Sequence, residues 1–195
     1  MHSSFEEFKK HVLQRPDKSA KKSIDEKIKP LCNCINALPG FVTLSSCSGR
    51  ITLTTQTNKK LSTWIYTTHD LAKPSDVLSA LKEYSLQGKD LPRVEFKQES
   101  AILHLALPTP EQAICFINSA ARQCGFGRFG ITSIQPDHTV VELICLQHLS
   151  VPVFDQTILV EEEYLSYLVE LANVKLQKSW QAIEKLTTYF VAKSI

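Results

Sequence analysis

Residues 101–146 read AILHLALPTPEQAICFINSAARQCGFGRFGITSIQPDHTVVELICL, and their hydrophobic period changes twice. In three segments apolar residues recur at about every second position, which is typical of β-strands. These segments are 101–107, 128–135 and 139–146. Between the first two, Thr109-Pro110-Glu111-Gln112 has the form of a helix-start capping box with proline at the first helical position. We expect the helix to run to Cys124 and to end at Gly125. The stretch therefore predicts the order strand, helix, strand, strand.

The same order of elements precedes this stretch and shares its first strand. Residues 63–68 predict a strand, residues 75–86 a helix, and Arg93–Gln98 a second strand, which a tight turn at Glu99-Ser100 joins to the strand 101–107. Because hairpins follow both helices, the pairing is expected to be antiparallel. We therefore predict an α+β fold with repeated β-α-β-β units and not a doubly wound parallel sheet.

Further helices are expected on both sides of this core. Capping boxes begin at Ser4 and Ser23, and the second opens an apolar stripe that ends at Pro39-Gly40. The stripe comprises Ile24, Ile28, Leu31, Ile35 and Leu38. A long helix is expected over 161–192. We predict a single domain over 1–195, made of a basic N-terminal arm (1–22), an α+β core (23–160) and a long C-terminal helix (161–195).

The composition excludes several classes of protein. The 195 residues are 43% hydrophobic and 22% charged, which is typical of a globular domain and not of a disordered or collagen-like chain. No stretch approaches the ~18 apolar residues of a membrane span, and the start lacks the pattern of a secretory signal. The six cysteines lack the spacing of a zinc site. We expect reduced thiols in a cytosolic or nuclear compartment, with the cytoplasm preferred, and no bound metal.

Gly125-Phe126-Gly127-Arg128-Phe129-Gly130 matches the glycine pattern of dinucleotide-binding loops. The match is rejected, because this segment follows a helix and precedes a strand, whereas a Rossmann loop requires the reverse order. A loop of this kind can still face a ligand through its free backbone amides and Arg128.

Ser45-Ser46-Cys47-Ser48-Gly49-Arg50 is the strongest local feature. Small residues let a ligand approach the backbone, hydroxyls and amides can receive a carboxylate or phosphate, and Arg50 supplies positive charge. The alternative is a polar hairpin turn between the strands expected at 41–44 and 50–57.

His69 follows the predicted strand that carries Trp64 and stands beside Asp70. It is a candidate base or nucleobase contact, and a purely structural role is the alternative. A thiol nucleophile formed by Cys47 and His69 is also conceivable, since a reactive thiolate requires a basic partner.

Basic residues dominate the segment from 9 to 22, where Asp17 is the single acidic residue. The basic residues are Lys9, Lys10, Arg15, Lys18, Lys21 and Lys22. The segment could hold an anionic partner or could simply be a solvated face.

Several motifs occur together in an order that resembles a known family. They begin with Ser23-Ile-Asp25-Glu26 and the run Leu44–Ile51. They continue with Trp64…Thr68-His69-Asp70, Gly125-Phe126…Gly130-Ile131-Thr132 and Glu162-Glu163-Tyr164-Leu165…Ala172-Asn173…Leu176. The chain resembles the wybutosine-synthesising tRNA methyltransferases, the third enzyme of that pathway, over about residues 5–190. One difference is that Gly127-Arg128-Phe129 stands where the family has arginine, a variable residue and serine.

The resemblance implies a reaction, a cofactor and a fold. The reaction is S-adenosylmethionine-dependent methylation of a nitrogen on the tricyclic base beside the anticodon of phenylalanine tRNA. The fold is an antiparallel sheet of repeated strand–helix–strand–strand units, curled toward a barrel and unlike Rossmann methyltransferases. The serine-rich loop, together with Gly130 and Ile131, is expected to face the cofactor and the base.

Roles for individual residues follow from that reaction. Ser45, Ser46, Ser48, Gly49 and Arg50 are expected to bind polar groups of the cofactor, with Cys47 lining the pocket. Asp25 and His69 are candidate catalytic residues that orient the acceptor nitrogen or take its proton. Candidate tRNA phosphate contacts are Lys18, Lys21, Lys22 and Arg128. Two alternatives stay open, a non-catalytic RNA-binding module that uses the same basic face and a cysteine-dependent hydrolase.

Overall fold

The protein is described here by a computed structural model that covers residues 4–16, 23–55, 62–88, 90–121 and 124–193. Lys18, Lys21 and Lys22 lie outside these residues. The chain divides into two compact units. Unit 1 comprises Met1–Ser48, Ala101–Leu146 and Ser179–Ile195, and unit 2 comprises Gly49–Ser100 and Gln147–Lys178. The single-domain organisation expected above remains a prediction.

The described residues contain five α-helices and nine strands. The helices are α1 (Ser4–Gln14), α2 (Lys29–Ala37), α3 (Pro74–Ser85), α4 (Pro110–Phe116), which continues as a π-helical turn over Ile117–Ala121, and α5 (Glu162–Lys193). The strands are β1 (Val42–Cys47), β2 (Arg50–Thr55), β3 (Trp64–Thr68), β4 (Val94–Glu99), β5 (Ile102–Leu107), β6 (Arg128–Ile134), β7 (Thr139–Ile144), β8 (Leu149–Asp155) and β9 (Thr157–Ile158). None of these helices is long and apolar enough to cross a membrane.

Unit 1 is built on a four-stranded antiparallel sheet in the order β1-β5-β7-β6. One face of this sheet packs against α2, α4 and the last part of α5, because these helices carry the other apolar residues of the same buried cluster. The fully buried members of this cluster include Ile28, Leu31, Ile35, Leu103, Leu105, Val141, Leu143, Leu186 and Phe190. Side chains alternate between the faces of a strand, so the intervening residues of β5 and β7 lie on the opposite face.

Helix α1 covers one end of that opposite face. Phe5 is buried with Val42 and Ala106, and Phe8 packs against the same cluster. The Phe8 ring also stacks on the His138 imidazole, with ring centroids 3.9 Å apart. Lys9 Nζ donates to the Leu38 carbonyl at 2.6 Å, and burial lowers the pKa of this amine. These contacts place α1 at the end of the face that carries Val42 and Ala106.

Unit 2 is built on a five-stranded antiparallel sheet in the order β3-β2-β4-β8-β9. Its helices are α3 and the first part of α5. The Asn173 side chain on α5 bonds both main-chain groups of Ala72, accepting from the amide and donating to the carbonyl at 2.9 Å each. Asn173 therefore fixes the chain just before α3.

The α+β class, the antiparallel pairing, the β6–β7 hairpin and the long last helix are confirmed. The hairpin predicted around Glu99-Ser100 is wrong, because β4 and β5 belong to different sheets. The alternative of a hairpin turn at Ser45–Gly49 is also wrong, because β1 and β2 belong to different sheets. The repeat therefore does not form two equivalent units. Neither sheet closes within the described residues, so the sheet curled toward a barrel is not confirmed.

Some element boundaries also differ from the predictions. Helix α2 begins at Lys29 and not at Ser23, because Pro30, which lacks an amide hydrogen, suits only the first turn of a helix. Thr109 caps α4 by accepting from the Gln112 amide, as predicted. Regular α-helix ends at Phe116, where the π-helical turn replaces it. Strands β8 and β9 were not expected.

Candidate active site

The segment Ser45–Arg50 joins β1 to β2 and does not form a hairpin turn. Ser45, Ser46 and Cys47 belong to β1, and only Ser48 and Gly49 form the connection. Gly49 has a φ of +90°, in the left-handed region that glycine adopts without steric cost. The boundary between the units falls after Ser48.

A buried carboxylate fixes the unit 1 end of this segment. Both the Ser48 amide, at 3.0 Å, and the Ser48 hydroxyl, at 3.3 Å, donate to Asp25 Oδ2. Ser48 is fully buried and Asp25 is only 9% exposed. The Asp25 carbonyl in turn accepts from the amides of Ile28 and Lys29. Asp25 therefore ties the end of β1 to the turn that leads into α2.

Ser46 also lies toward α2. Its hydroxyl accepts from Cys32 Sγ at 3.5 Å, and burial raises the pKa of the Cys32 thiol. Burial raises the pKa of Cys124 as well, and that of Cys145 to about 12. These three thiols are therefore neutral at physiological pH and cannot act as thiolate nucleophiles.

Ser45 begins a row of hydrogen-bonded side chains that crosses the unit 1 sheet. Ser45 Oγ is 3.0 Å from His104 Nδ1, and His104 Nε2 is 2.9 Å from Glu142 Oε2. A carboxylate can only accept, so Nε2 carries the hydrogen, and in a neutral imidazole Nδ1 is then the acceptor. The hydroxyl of Ser45 therefore donates to His104.

The strand register extends this row to β6. Ser45 pairs with His104, His104 with Glu142, and Glu142 with Gly130. Directly paired residues share a face, so these four lie on the side of the sheet opposite the buried cluster. A Cβ built on Gly130 would meet nothing within 4 Å, which shows open space there.

The neighbouring row on the same face contains two more of the predicted residues. Cys47 pairs with Ile102, Ile102 with Ile144, and Ile144 with Arg128. Arg128 is exposed and Cys47 is half-buried. The structure thus brings Ser45, Cys47, Gly130 and Arg128 to one surface.

Ile131 does not belong to this surface. It pairs with Val141 and packs against the buried cluster on the opposite face. Side chains alternate along β6, so of the two residues only Gly130 lies on the exposed face, and a cofactor contact by Ile131 stays a prediction.

The unit 2 end of the segment carries a cation, an anion and an aromatic ring. Arg50 Nε forms an ion pair with Glu99 Oε2, and the guanidinium carbon lies 4.4 Å from the centre of the Trp64 ring. Trp64 is 49% exposed. His69 Nδ1 is 3.0 Å from the Gly49 carbonyl oxygen, and this contact holds the main chain at the start of β2.

Comparison with known proteins places the chain in a family. The family described as Methyltransferase TYW3 matches residues 6–192. The chain belongs to the TYW3 methyltransferase family. It is similar to the tRNA(Phe) 7-((3-amino-3-carboxypropyl)-4-demethylwyosine(37)-N(4))-methyltransferase 1 of Pyrococcus furiosus, with 33% identity over 94% of this chain and 93% of the relative. It is also 30% identical to the tRNA wybutosine-synthesizing protein 3 homolog of Xenopus laevis, over 93% of this chain and 72% of that relative.

Solved structures are similar in fold to this TYW3 family member. A protein of Pyrococcus horikoshii superposes with a TM-score of 0.86 at 30% identity and covers 96% of both chains. A protein of Aeropyrum pernix superposes with a TM-score of 0.72 at 28% identity, over 85% of this chain and 96% of that one. The family resemblance drawn from the sequence motifs is confirmed.

Sequence reasoning missed three polar residues of this TYW3 family member. His104 and Glu142 occupy outward positions in the alternating strands β5 and β7, where a polar residue among apolar neighbours is the only signal. The sequence predicts a turn at Glu99, whereas the structure places this residue at the end of β4. Their contacts with the predicted site residues Ser45 and Arg50 can be recognised only when the pairing of the strands is known.

Proposed function

We propose that this protein transfers the methyl group of S-adenosylmethionine to a nitrogen of the tricyclic wybutosine precursor in phenylalanine tRNA. The observation that carries the proposal is the match to the methyltransferase family over 6–192. The name of the Pyrococcus furiosus relative specifies N(4) of a demethylwyosine in tRNA(Phe), and that relative is aligned over nearly its whole length. The non-catalytic RNA-binding alternative is not favoured by these names.

Groups on unit 2 suit the cofactor chemically. S-adenosylmethionine carries a carboxylate, an ammonium group, a sulfonium and an adenine, and it supplies an electrophilic methyl group when bound. Arg50 can hold the carboxylate, Glu99 the ammonium, and the exposed face of Trp64 an aromatic ring or a cation. Arg50 and Glu99 already pair with each other. A zwitterion can replace both partners, because its carboxylate suits Arg50 and its ammonium suits Glu99.

The serine-rich segment remains a proposed cofactor contact, mainly through its backbone. The hydroxyls of Ser46 and Ser48 bond Cys32 and Asp25, so their role in cofactor binding is to hold the backbone of the segment. Asp25 and His69 contact the main chain of this segment at Ser48 and Gly49. Their role in orienting the acceptor nitrogen or taking its proton stays a prediction. Arg128 and the lysines at 18, 21 and 22 remain proposed phosphate contacts for tRNA.

The decisive experiment is incubation of the protein with labelled S-adenosylmethionine and tRNA(Phe) that lacks only this methyl group. Label in the tricyclic nucleoside after digestion is the expected result. Unmodified tRNA(Phe), which has guanosine at that position, is the control and should stay unlabelled. Saturable tRNA binding without label transfer and without S-adenosylmethionine binding would instead indicate the RNA-binding module.

The thiol of Cys47 is not required for this chemistry, because a direct displacement at the sulfonium methyl group needs no covalent enzyme intermediate. We therefore expect Cys47→Ser to keep most of the methyl transfer. Complete loss of transfer with intact cofactor binding would revive the nucleophile hypothesis. All six cysteines are free thiols, which supports the proposed cytoplasmic location.

A further inference from the structure

We propose that Ser45, His104 and Glu142 form the proton acceptor for the methylated nitrogen, with His104 as the group that finally holds the proton. This inference rests on the proposed function, since it assigns a role within the same reaction. The three residues come from separate strands, β1, β5 and β7, and form one continuous chain of hydrogen bonds across the unit 1 sheet.

The chain has a defined direction. Glu142 fixes the hydrogen on His104 Nε2, which leaves the lone pair of Nδ1 directed at the Ser45 hydroxyl. Ser45 is exposed, whereas the side chains of His104 and Glu142 are each only 28% exposed. A substrate therefore reaches the chain through Ser45, and the imidazole is held between two partners.

The proton balance of the reaction requires such an acceptor. When the ring nitrogen forms its new bond to carbon, the sulfur–carbon bond breaks and the sulfonium becomes a neutral thioether. The nitrogen must then lose its own hydrogen. That proton passes to Ser45 Oγ as the serine hydrogen passes to His104 Nδ1, and the resulting imidazolium is stabilised by the Glu142 carboxylate.

Space for a flat base lies beside this chain. Gly130 continues the row next to Glu142 and presents no side chain, and its Cβ position has no neighbour within 4 Å. Helix α1 packs at the other end of this sheet face, around Val42 and Ala106. The part of the face that carries Ser45 and Gly130 is therefore the part that a planar ring can approach. Ser45 is then the catalytic residue that touches the substrate, and His104 and Glu142 act through it.

Variants of His104 test the proposal on the full-length protein with S-adenosylmethionine and the demethylated tRNA. His104→Asn keeps a hydrogen-bonding amide near the Nδ1 position but cannot take a proton. We expect kcat to fall by ~10²–10⁴-fold with KM for tRNA little changed. His104→Ala should lose as much activity and recover part of it when imidazole is added to the buffer. Glu142→Gln should lower kcat about tenfold, because the neutral amide no longer stabilises the imidazolium that forms on His104.

Matched controls and a readout without turnover separate this role from a structural one. His148→Gln changes an exposed histidine outside the row and should leave kcat unchanged. Thermal melts and tRNA binding of the His104 variants should match the parent. Nitrogen-15 NMR of the ligand-free protein should show His104 with hydrogen on Nε2 and a bare Nδ1.

The outcomes distinguish failure of the proposed function from failure of the proton acceptor alone. A parent protein that does not methylate this tRNA would overturn the proposed function and this assignment with it. An active parent whose His104→Asn variant keeps its kcat would overturn the proton acceptor alone. A tautomer with hydrogen on Nδ1, or a failure of imidazole to rescue a folded His104→Ala variant, would also contradict it.

Discussion

Asp25 is a residue whose carboxylate has a structural task that can be measured separately from any catalytic one. Asp25→Ala leaves the buried amide and hydroxyl of Ser48 without the oxygen to which both donate. Buried donors that lose their acceptor cost about 1–3 kcal/mol each, so for two donors we expect the unfolding free energy to fall by about 2–6 kcal/mol. Urea denaturation measures this change.

Ser48→Ala is the matched control for that experiment. It removes only the hydroxyl and keeps the amide bonded to Asp25, so the expected loss is about 0.5–1.5 kcal/mol. If Asp25→Ala were no more destabilised than Ser48→Ala, Asp25 would not hold the segment as described.

Gly130 offers a way to block the proposed binding surface without disturbing the fold. A Cβ at Gly130 meets nothing within 4 Å, so Gly130→Ala should melt like the parent, and Gly130→Val should do so nearly as well. We expect Gly130→Val to lower methyl transfer at least tenfold, because its side chain would stand beside Glu142 where the base is proposed to lie.

Gly125→Ala serves as the comparison, because it should lower stability and leave the proposed binding surface unchanged. Gly125 has a φ of +87°, so an alanine there costs about 1–2 kcal/mol of stability. Full activity of a folded Gly130→Val variant would remove this surface from the site. Gly49 is unsuitable for such a test, because its own φ of +90° would make any replacement strain the backbone.

The residues of the site were predictable in part. Ser45 and Gly130 can be singled out from local composition, but their common row depends on a bulge in β1 between Thr43 and Ser45. A regular register would place Leu44 opposite His104, and one inserted residue brings Ser45 there instead. No local pattern in the sequence reveals that insertion.

At the scale of elements, Asn173 joins α5 to the segment before α3 within unit 2. Its amide bonds both the N–H and the C=O of Ala72, as a neighbouring strand would. We expect Asn173→Ala to lower the unfolding free energy by about 2–4 kcal/mol, because two main-chain groups of a buried residue lose their partners.

Asn173→Asp distinguishes this bond pair from simple packing. The carboxylate can still accept from the Ala72 amide, but it faces the Ala72 carbonyl without a hydrogen to donate. We therefore expect it to be destabilised despite its nearly identical shape. Equal chemical-denaturation curves for Asn173→Asp and the parent would contradict the proposed role.

Elements with strong periodicity were predicted well, and the pairing of strands was not. The stripe of α2 and the cap of α4 follow from local preferences. Strand β8 was not predicted, because a proline such as Pro152 normally interrupts a strand. In the described sheet, β8 pairs with β4 along one side, and on its other side β9 pairs only with Phe154 and Asp155. Pro152 therefore needs no amide hydrogen for a second row of hydrogen bonds. Strands β1 and β2 are adjacent in sequence but belong to different sheets, because each pairs with strands from distant parts of the chain.

For the whole molecule, tRNA affinity should depend on salt through the basic N-terminal segment. Replacing Lys18, Lys21 and Lys22 together by alanine should weaken tRNA binding and leave S-adenosylmethionine affinity unchanged. Each lost phosphate contact lowers the salt slope by ~0.7–0.9. Binding measured across a salt series tests this expectation.

A triple change of exposed lysines elsewhere controls for net charge. Lys73, Lys178 and Lys185 are exposed, and their replacement by alanine removes the same charge. An identical salt slope for the N-terminal variant and the parent would show that the segment is a solvated face. A slope reduced equally by both triple variants would indicate a general charge effect.

The core of unit 1 draws on Ile28 and Ile35 near one end of the chain and on Ile183, Leu186 and Phe190 near the other. During synthesis on a ribosome, roughly 150 residues must therefore be added after Ile35 before this core has all its parts. At ~5–20 residues per second, the wait is on the order of ten to thirty seconds. Throughout that interval the apolar stripe of α2 on the nascent chain lacks its final cover, which makes it a target for chaperones that bind emerging polypeptides.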